Sequence, residues 1–247
     1  MQSVKTNHTQ KESVFSRKTI SNGVRPNFNE EKKLWKRGYK YVVGLDEAGR
    51  GCLAAPVVAA AVIVRSKLKS QRSKSQFKSQ IFKEVKDSKQ LSSKKREELC
   101  KLVTKNPLIE WGIGKVSEKV IDKINILEAT KLAMKKAIEK LKKKPDFLII
   151  DGNFKIDLPI LQKSIIKGDE KVFSCATASI IAKVTRDRIM RKYHKKYPQY
   201  GFDRHKGYGT KLHLKMLKKF GPCKIHRKTF KPIVKIKKLF SYPQKYV

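Results

Sequence analysis

Acidic residues stand at the ends of two apolar stretches in a chain that has few acids. The chain has 60 Lys and Arg against 21 Asp and Glu. Asp46 and Glu47 follow the apolar run at 40–45, and Asp151 follows the run at 147–150. Acids at the carboxyl ends of neighbouring strands point into a shared crevice, so we expect Asp46 and Asp151 to lie close together.

Carboxylates brought together in this way predict a metal site. Without a cation, clustered carboxylates would repel the phosphates of a polyanionic substrate. Carboxylate oxygens are the ligands that Mg²⁺ or Mn²⁺ prefers, so a bound divalent cation would explain the cluster. The alternative for each acid taken singly is a helix cap or an ion pair with a lysine, which acids after a strand often form. From the spacing alone, both interpretations stay open.

The net charge indicates the class of partner. A formal charge of +39 exceeds what solubility requires and favours nucleic acid. An anionic membrane is the alternative, but the longest apolar run, at 54–64, is too short to span a bilayer. The polar first residues predict neither a signal peptide nor an amphipathic anchor. We therefore expect a cytoplasmic protein without membrane association.

The four cysteines carry little functional signal. They are too widely spaced for a zinc ribbon or a disulfide framework, and we expect small buried residues at Cys52, Cys100, Cys175 and Cys223.

The elements that must position the acids alternate along the chain. Strands are predicted at 40–45, 57–64, 110–116 and 147–150, with a weaker one at 161–166. Helices are predicted after the N-cap Ser92, around 134–141, and over 174–193 and 210–220. In the last helix, Met216, Leu217 and Phe220 are expected to face inward. This order predicts an α/β fold with a mixed central β-sheet flanked by helices.

Three segments lie outside this pattern. Residues 1–28 are polar and lack periodicity, which predicts a basic N-terminal extension. Residues 66–80 repeat Ser, Lys and Gln and predict a basic insertion, and residues 233–247 form a basic C-terminal tail. The predicted folded unit is therefore 29–232.

The octapeptide at 44–51, GLDEAGRG, places two adjacent acids before an arginine between glycines. Glycines allow the backbone to approach a ligand closely. This octapeptide resembles the signature of the type 2 ribonucleases H, the ribonuclease HII family. Further motifs resemble those of the family in the family's order, at 87–92 (DSKQLS), 125–130 (NILEAT), 150–152 (IDG), 178–188 (ASIIAKVTRDR) and 205–210 (HKGYGT). Such an ordered set is far more specific than a single pattern.

The resemblance implies a ribonuclease H-like fold and a metal-dependent endoribonuclease. Enzymes of this family cleave the RNA strand of RNA–DNA hybrids and cut on the 5′ side of ribonucleotides embedded in duplex DNA. The products carry 3′-hydroxyl and 5′-phosphate ends, and the role is ribonucleotide removal from DNA. Two divalent metals, Mg²⁺ or Mn²⁺, are held by four acids, which by motif position correspond to Asp46, Glu47, Asp151 and Asp169.

The fourth acid has two alternatives in this chain. Asp169 is preferred because the family's fourth acid precedes the ASIIAKV helix. Glu170, which is adjacent to Asp169, is the first alternative, and Asp187 is the second. Asp187 lies inside that helix, and we expect it to form a structural ion pair with Arg186 or Arg188.

The resemblance also implies substrate contacts. Gly49, Arg50 and Gly51 resemble the loop that recognises the 2′-hydroxyl, and Tyr208 resembles the aromatic residue that packs on the adjoining deoxyribose. The expected phosphate contacts are Ser88, Lys89, Lys183 and Lys206. The alternative is that Tyr208 is a core residue at a helix start and that the lysines belong to a general basic surface.

This chain departs from the family pattern at two positions of the same loop. Cys52 stands where the family usually has proline, and Ala55 stands where it usually has glycine. Both changes could alter the loop that carries Arg50.

The histidines form no Ser–His or Cys–His arrangement. We expect surface or phosphate-contacting roles for His8, His194, His205, His213 and His226.

Two other classes compete with this interpretation. A noncatalytic RNA-binding protein would explain the charge but would not need acids at strand ends. A type 3 ribonuclease H would share the chemistry, yet it is expected to carry an additional N-terminal domain, for which the stretch before Lys40 is too short. We expect a monomer, and Leu239-Phe240 in the C-terminal tail is a candidate for binding a sliding clamp, although it lacks a full clamp-binding motif.

Overall fold

The structure, a computed structural model, describes residues 25–65, 81, 84–85 and 91–241, with the side chains of 238–241 excepted. The predicted insertion at 66–80, most of the N-terminal extension and the last six residues lie outside the described residues. Within the described part, no helix is long and apolar enough to cross a membrane.

A mixed sheet forms the centre of the fold. Its strands are β1 (Val42–Ala48), β2 (Val57–Val64), β3 (Ile109–Val116), β4 (Phe147–Asp151) and β5 (Leu161–Ile165). They lie in the order β3-β2-β1-β4-β5, with β1 parallel to β4, β4 parallel to β5, and β2 antiparallel to both β1 and β3. The predicted fold class, an α/β fold with a mixed central sheet, is confirmed.

β1 continues past the predicted end at residue 45. Asp46 and Glu47 therefore lie within the strand rather than after it. The antiparallel ladder with β2 pairs Asp46 with Ala60 and Glu47 with Ala59. Pairing with a long apolar neighbour extends a strand beyond the point at which its own hydrophobic pattern stops.

Helices cover both faces of the sheet. Along the chain, the helices on the sheet and those of the C-terminal part are α1 (Asn29–Lys36), α2 (Ser93–Lys105), α3 (Glu118–Ile138), α4 (Gly168–Lys171), α5 (Phe173–Lys196), α6 (Phe202–His205), α7 (Lys211–Phe220) and α8 (Lys231–Ser241). The side chains of Ser92 and Thr210 accept hydrogen bonds from Lys95 N at 3.2 Å and His213 N at 3.3 Å, so both N-caps form.

α3 packs on one face of the sheet, and α5 and α2 pack on the other. Small residues permit this close approach. A Cβ on Gly44 of β1 would collide with Ser174 at the start of α5, and one on Gly114 of β3 would collide with the backbone of α3. α5, which carries the ASIIAKV motif, is thereby held directly against β1.

Residues just outside both predicted boundaries of the folded unit, 29 and 232, pack against that unit. Phe28 stacks on Phe173 with ring centroids 4.5 Å apart, and Asn27 forms a parallel bridge with Val172. At the other end, Ile233 and Ile236 of α8 are buried in a C-terminal cluster with Leu217. The described chain therefore remains part of one packed body from about residue 27 into α8.

Phe220, which was expected to face inward, is 46% exposed. It is the last residue of α7, where the chain turns away at Gly221, and its ring lies 6.3 Å from that of Tyr200 and 5.2 Å from Lys219 Nζ. Leu217, one turn earlier, is fully buried as predicted.

Candidate active site

Three aspartates meet at one edge of the sheet. Asp46 lies near the end of β1, Asp151 is the last residue of β4, and Asp169 lies in α4, which follows β5. One carboxylate oxygen from each lies within 4.8 Å of those of the other two. Because β1 and β4 are parallel neighbours, their carboxyl ends coincide, and Gly168 N donates to Asp151 Oδ1 at 2.8 Å, which places α4 against the end of β4.

The cluster concentrates negative charge in a buried place. Asp46 and Asp169 are buried, and Asp151 is half-buried. Burial raises the pKa of Asp46 well above its usual range, the charges of Glu47, Asp151 and Asp169 raise it further, and a hydrogen bond from Ser179 opposes the shift. A divalent cation would remove this repulsion, and three carboxylates supply only oxygen ligands, so the cluster fits Mg²⁺ or Mn²⁺.

Glu47 follows Asp46 on the strand but is not part of the compact group of three. Its Oε1 lies 3.4 Å from Arg50 Nη1. Successive residues of a strand point to opposite faces, which separates the two carboxylates while keeping Glu47 close enough to affect the pKa of Asp46.

The two alternatives for the fourth acid have other partners. Asp187 forms ion pairs with Lys183 at 2.9 Å and Arg96 at 3.6 Å, and Glu170 pairs with Lys167 at 3.4 Å. The expected ion pair of Asp187 is therefore present, but with different partners. Residues adjacent in sequence point in different directions on a helix, whereas Lys183, four residues earlier, shares the face of Asp187.

The residues that follow β1 form a loop at 49–56, here called the substrate loop. Gly49 has a φ of +102°, and a Cβ there would collide with the side chain of Arg186. The guanidinium of Arg50 lies 5.5 Å from the ring centroid of Phe154. The loop thus begins three residues after Asp46, with Arg50 directed between Glu47 and Phe154.

Tyr208 lies beside this loop. Cys52 and Tyr208 form an antiparallel bridge, and Leu53 N donates to Gly207 O at 2.8 Å. Tyr208 is 42% exposed as a residue, and Lys183 Nζ lies 5.6 Å from the centroid of its ring. The structure therefore brings Tyr208 and Lys183 to the substrate loop across more than 120 residues of sequence.

Of the remaining predicted phosphate contacts, one lies within the described residues. Lys206 has a left-handed backbone with φ +52°, its Nζ donates to Asp203 O, and burial lowers its pKa. Ser88 and Lys89 lie outside the described residues.

Comparison with known proteins identifies the family. A family model described as Ribonuclease HII matches residues 43–233. The chain belongs to the ribonuclease HII family. Ribonuclease HII of Caldanaerobacter subterraneus subsp. tengcongensis is 50% identical over 200 residues, covering 81% of this chain and 78% of that protein. Ribonuclease HII of Chlamydia muridarum is 50% identical over 204 residues, covering 82% and 88%.

Solved structures agree with this assignment. Ribonuclease H2 from Pyrococcus horikoshii OT3 superposes with a TM-score of 0.63 at 28% identity, covering 81% of this chain and 98% of that chain. A PCNA:RNase HII complex from Archaeoglobus fulgidus gives 0.62 at 26% identity, covering 83% and 98%. As a ribonuclease HII, the protein is a metal-dependent endoribonuclease, a hydrolase, and the noncatalytic alternative is set aside.

The expectation that the histidines lie at the surface is wrong for three of them. His205, His213 and His226 are buried, and His213 Nε2 lies 3.0 Å from His226 Nε2. His213 Nδ1 lies 2.9 Å from Tyr208 O, and Cys223 N donates to His226 Nδ1 at 2.9 Å. Because a carbonyl only accepts, His213 Nδ1 carries the proton, His226 Nε2 donates to His213 Nε2, and both rings are neutral.

Burial accounts for the electrostatics of this pair. It lowers the pKa of His213 to about 4 and of His226 to about 3. The ribonuclease HII thus holds the carbonyl of Tyr208 through two neutral imidazoles. Their sequence surroundings are basic, so no local signal indicated burial.

Two buried arginines were also not identified from the sequence as parts of the site. Arg186 donates to Pro56 O at 3.1 Å, Ala54 O at 3.1 Å and Lys206 O at 2.8 Å. Arg227 donates to Ala55 O and Arg50 O. Both side chains bind the backbone of the substrate loop from beneath it.

Proposed function

We propose that this ribonuclease HII hydrolyses the RNA strand of RNA–DNA hybrids and the phosphodiester bond 5′ of single ribonucleotides in duplex DNA. Its products would carry 3′-hydroxyl and 5′-phosphate ends, and its role would be ribonucleotide removal. The observation that carries the proposal is the position of the three-aspartate cluster at the end of β1. The substrate loop follows this strand in the chain, and Tyr208 is bridged to that loop at Cys52.

Asp46, Asp151 and Asp169, together with Glu47, would hold Mg²⁺ or Mn²⁺, two per site with substrate. When bound, such ions lower the pKa of the attacking water and stabilise the departing 3′-oxygen, so hydrolysis needs no nucleophilic side chain. The fit rests on the all-oxygen donor set and on the buried like charges that raise the pKa of Asp46.

The substrate loop and Tyr208 would restrict cleavage to ribonucleotides. A 2′-hydroxyl both donates and accepts, so groups that approach closely can test for it. Gly49 and Gly51 permit that approach at Arg50, and the exposed face of Tyr208 offers a surface on which a deoxyribose can pack.

Phosphate contacts would come from Lys183, whose Nζ lies 5.6 Å from the centroid of the Tyr208 ring, from Lys206, two residues before Tyr208, and from Ser88 and Lys89. The basic extension and insertion would add affinity for the nucleic acid that does not depend on its nucleotide sequence. The monomeric state and the cytoplasmic location stay predictions.

A sliding clamp is a further candidate partner. The relative from Archaeoglobus fulgidus was solved as a complex with PCNA. In this chain, residues 239–240 lie near the end of α8, at the edge of the described residues. Loss of clamp binding on substitution of Leu239 and Phe240, with unchanged cleavage, would support this assignment.

One assay tests the proposed reaction. A DNA duplex carrying one ribonucleotide is incubated with the protein, with and without Mg²⁺ or Mn²⁺, beside an all-DNA duplex of the same sequence. We expect a single metal-dependent cut on the 5′ side of the ribonucleotide and none in the all-DNA duplex. Cleavage elsewhere, or metal-dependent cleavage of the all-DNA duplex, would contradict the proposal.

A further inference from the structure

Arg227 is a fully buried cation whose hydrogen bonds go to the backbone. Its side chain is 0% exposed, and in the described part of the chain it forms no ion pair with a carboxylate. Nε and Nη2 donate to Ala55 O at 3.0 and 2.9 Å, and Nη1 donates to Arg50 O at 2.9 Å. Burying a guanidinium costs free energy that these bonds must offset, so a role confined to filling space would be served better by an apolar residue.

Ala55, which receives two of these bonds, has an unfavourable backbone conformation. Its φ is +69°, in the left-handed region where a residue with a Cβ is strained. Ala55 N donates to Ile225 O at 2.8 Å, so residues 225–227 hold Ala55 on both its N–H and its C=O. Such conformations persist only where the surroundings impose them.

The same guanidinium reaches Arg50, the central residue between the two glycines of the substrate loop. Arg227 N also donates to Leu53 O at 2.9 Å. Arg186, from α5, binds the carbonyls of Ala54 and Pro56 but not that of Arg50. Arg227 therefore connects the strained turn at Ala55 to the part of the loop nearest the aspartates.

We propose that Arg227 is a positioning residue that imposes the left-handed turn at Ala55 and thereby fixes Arg50 relative to the carboxylate cluster. The inference rests on the proposed function of the substrate loop. Arg227 does not touch the reacting atoms in this scheme. It affects the rate at which bound substrate is cut. It does not affect the affinity for duplex, because that affinity depends on phosphate contacts made by other residues.

The first test is the substitution Arg227→Lys, which keeps the charge and removes the planar fork that binds two carbonyls at once. The measured quantity is the single-turnover cleavage rate on a duplex with one ribonucleotide, with enzyme in saturating excess so that only folded molecules contribute. We expect a decrease of at least about tenfold, since small displacements of positioning groups cost this much or more. Affinity for an all-DNA duplex should stay within about twofold of that of the unsubstituted protein.

A matched control is Arg188→Lys, the same change on α5, where Arg188 pairs with Glu97 at the surface. We expect its single-turnover rate to equal that of the unsubstituted protein. A normal rate for Arg227→Lys, or a loss of affinity as large as its loss of rate, would overturn the positioning role.

The second test is rescue by Ala55→Gly. Glycine adopts a positive φ without strain, so it should restore the turn when Arg227 no longer imposes it. We expect Arg227→Lys to lower the rate of the Ala55→Gly protein much less than it lowers the rate of the unsubstituted protein, so that Arg227→Lys/Ala55→Gly recovers most of the rate lost in Arg227→Lys. If the two substitutions act additively, Arg227 does not work through Ala55 and the inference fails.

Thermal melting of the same four proteins tests the turn without any cleavage assay. Ala55→Gly should raise the melting temperature more in the Arg227→Lys background than in the unsubstituted protein, and equal changes would overturn the inference. If neither Arg227→Lys nor the double variant folds, Arg227 supports the whole fold rather than the loop, and the inference is wrong. An unsubstituted protein that melts cooperatively but cuts nothing would instead refute the proposed function.

Discussion

At the edge of the sheet, Asp46, Asp151 and Asp169 crowd negative charge together, whereas Arg186 and Arg227 bury positive charge beneath the neighbouring substrate loop. The arginines are satisfied inside the protein, because each donates three hydrogen bonds to backbone carbonyls. The aspartates repel one another, and the pKa of Asp46 is raised accordingly.

This difference separates two kinds of functional group. Buried like charges whose mutual repulsion raises a pKa indicate a ligand from outside, here a cation. Buried charge that the backbone satisfies indicates a part that holds another part in place. The variants below test each side of this contrast, from the largest expected effect to the smallest.

Removing a charge from the cluster should abolish cleavage. We expect Asp46→Asn and Asp151→Asn each to lower the cleavage rate by a factor of about 1,000 or more, because each loses a metal ligand. Duplex affinity should be equal or tighter, since a charge facing phosphate is removed. Melting without metal should show Asp46→Asn to be the more stable protein, by about 1 kcal/mol, because like charges are relieved. A variant that still cuts, or that is less stable without metal, would contradict the contrast.

Asp169 and Asp187 are both buried aspartates, but only Asp169 belongs to the cluster. Asp169→Asn should therefore be severely impaired in cleavage, by about 100-fold or more. Asp187→Asn breaks the ion pairs with Lys183 and Arg96 and should lose stability, with little loss of activity in the folded protein. The opposite ranking of cleavage rates would exclude Asp169 as the fourth ligand.

Tyr208 tests the substrate side. Tyr208→Ala should lower cleavage at a single embedded ribonucleotide by about tenfold or more while duplex affinity changes little, since the packing surface for the next sugar is lost. Tyr208→Phe keeps the ring and should lose less. Cleavage rates are compared on an embedded ribonucleotide and on a continuous RNA–DNA hybrid. Equal losses for Tyr208→Ala on both substrates would show that Tyr208 does not recognise the junction.

The neutral imidazole pair predicts a loss of stability in mild acid. The folded-state pKa values of His213 and His226, about 4 and about 3, lie below the unfolded value near 6.5. The stability that they contribute is therefore complete above about pH 6.5 and falls as the pH is lowered toward 4, by about 2 kcal/mol for each ring at pH 5. The groups around the pair, His205, Tyr200 and Cys223, supply no negative charge that would offset protonation.

Denaturant unfolding at pH 7 and pH 5 measures this effect. His226→Gln should reduce the loss of stability between the two values, and His194→Gln, at a partly exposed histidine, should not. An unchanged pH dependence in His226→Gln would show that the pair does not titrate as inferred.

The sequence alone determined the elements and the acids that depend on local pattern. The predicted strand at 57–64 has the same bounds as β2, because a run of eight apolar residues indicates a buried strand without reference to any other part of the chain. Asp46 and Asp151 were expected to converge because both stand at ends of apolar strands, and β1 and β4 are indeed parallel neighbours. The family motifs supplied Asp169, which no periodicity would have selected from the short segment after β5.

Only the tertiary structure decided the interactions that join distant parts of the chain. Arg227 meets Arg50 and Ala55 across more than 170 residues, and a basic segment around it looks like any other in this chain. The same holds for His213 and His226, whose rings meet each other and, through His213, the carbonyl of Tyr208. A polar side chain is buried or exposed according to the hydrogen-bond partners that folding brings to it, and those partners leave no periodic trace in the sequence.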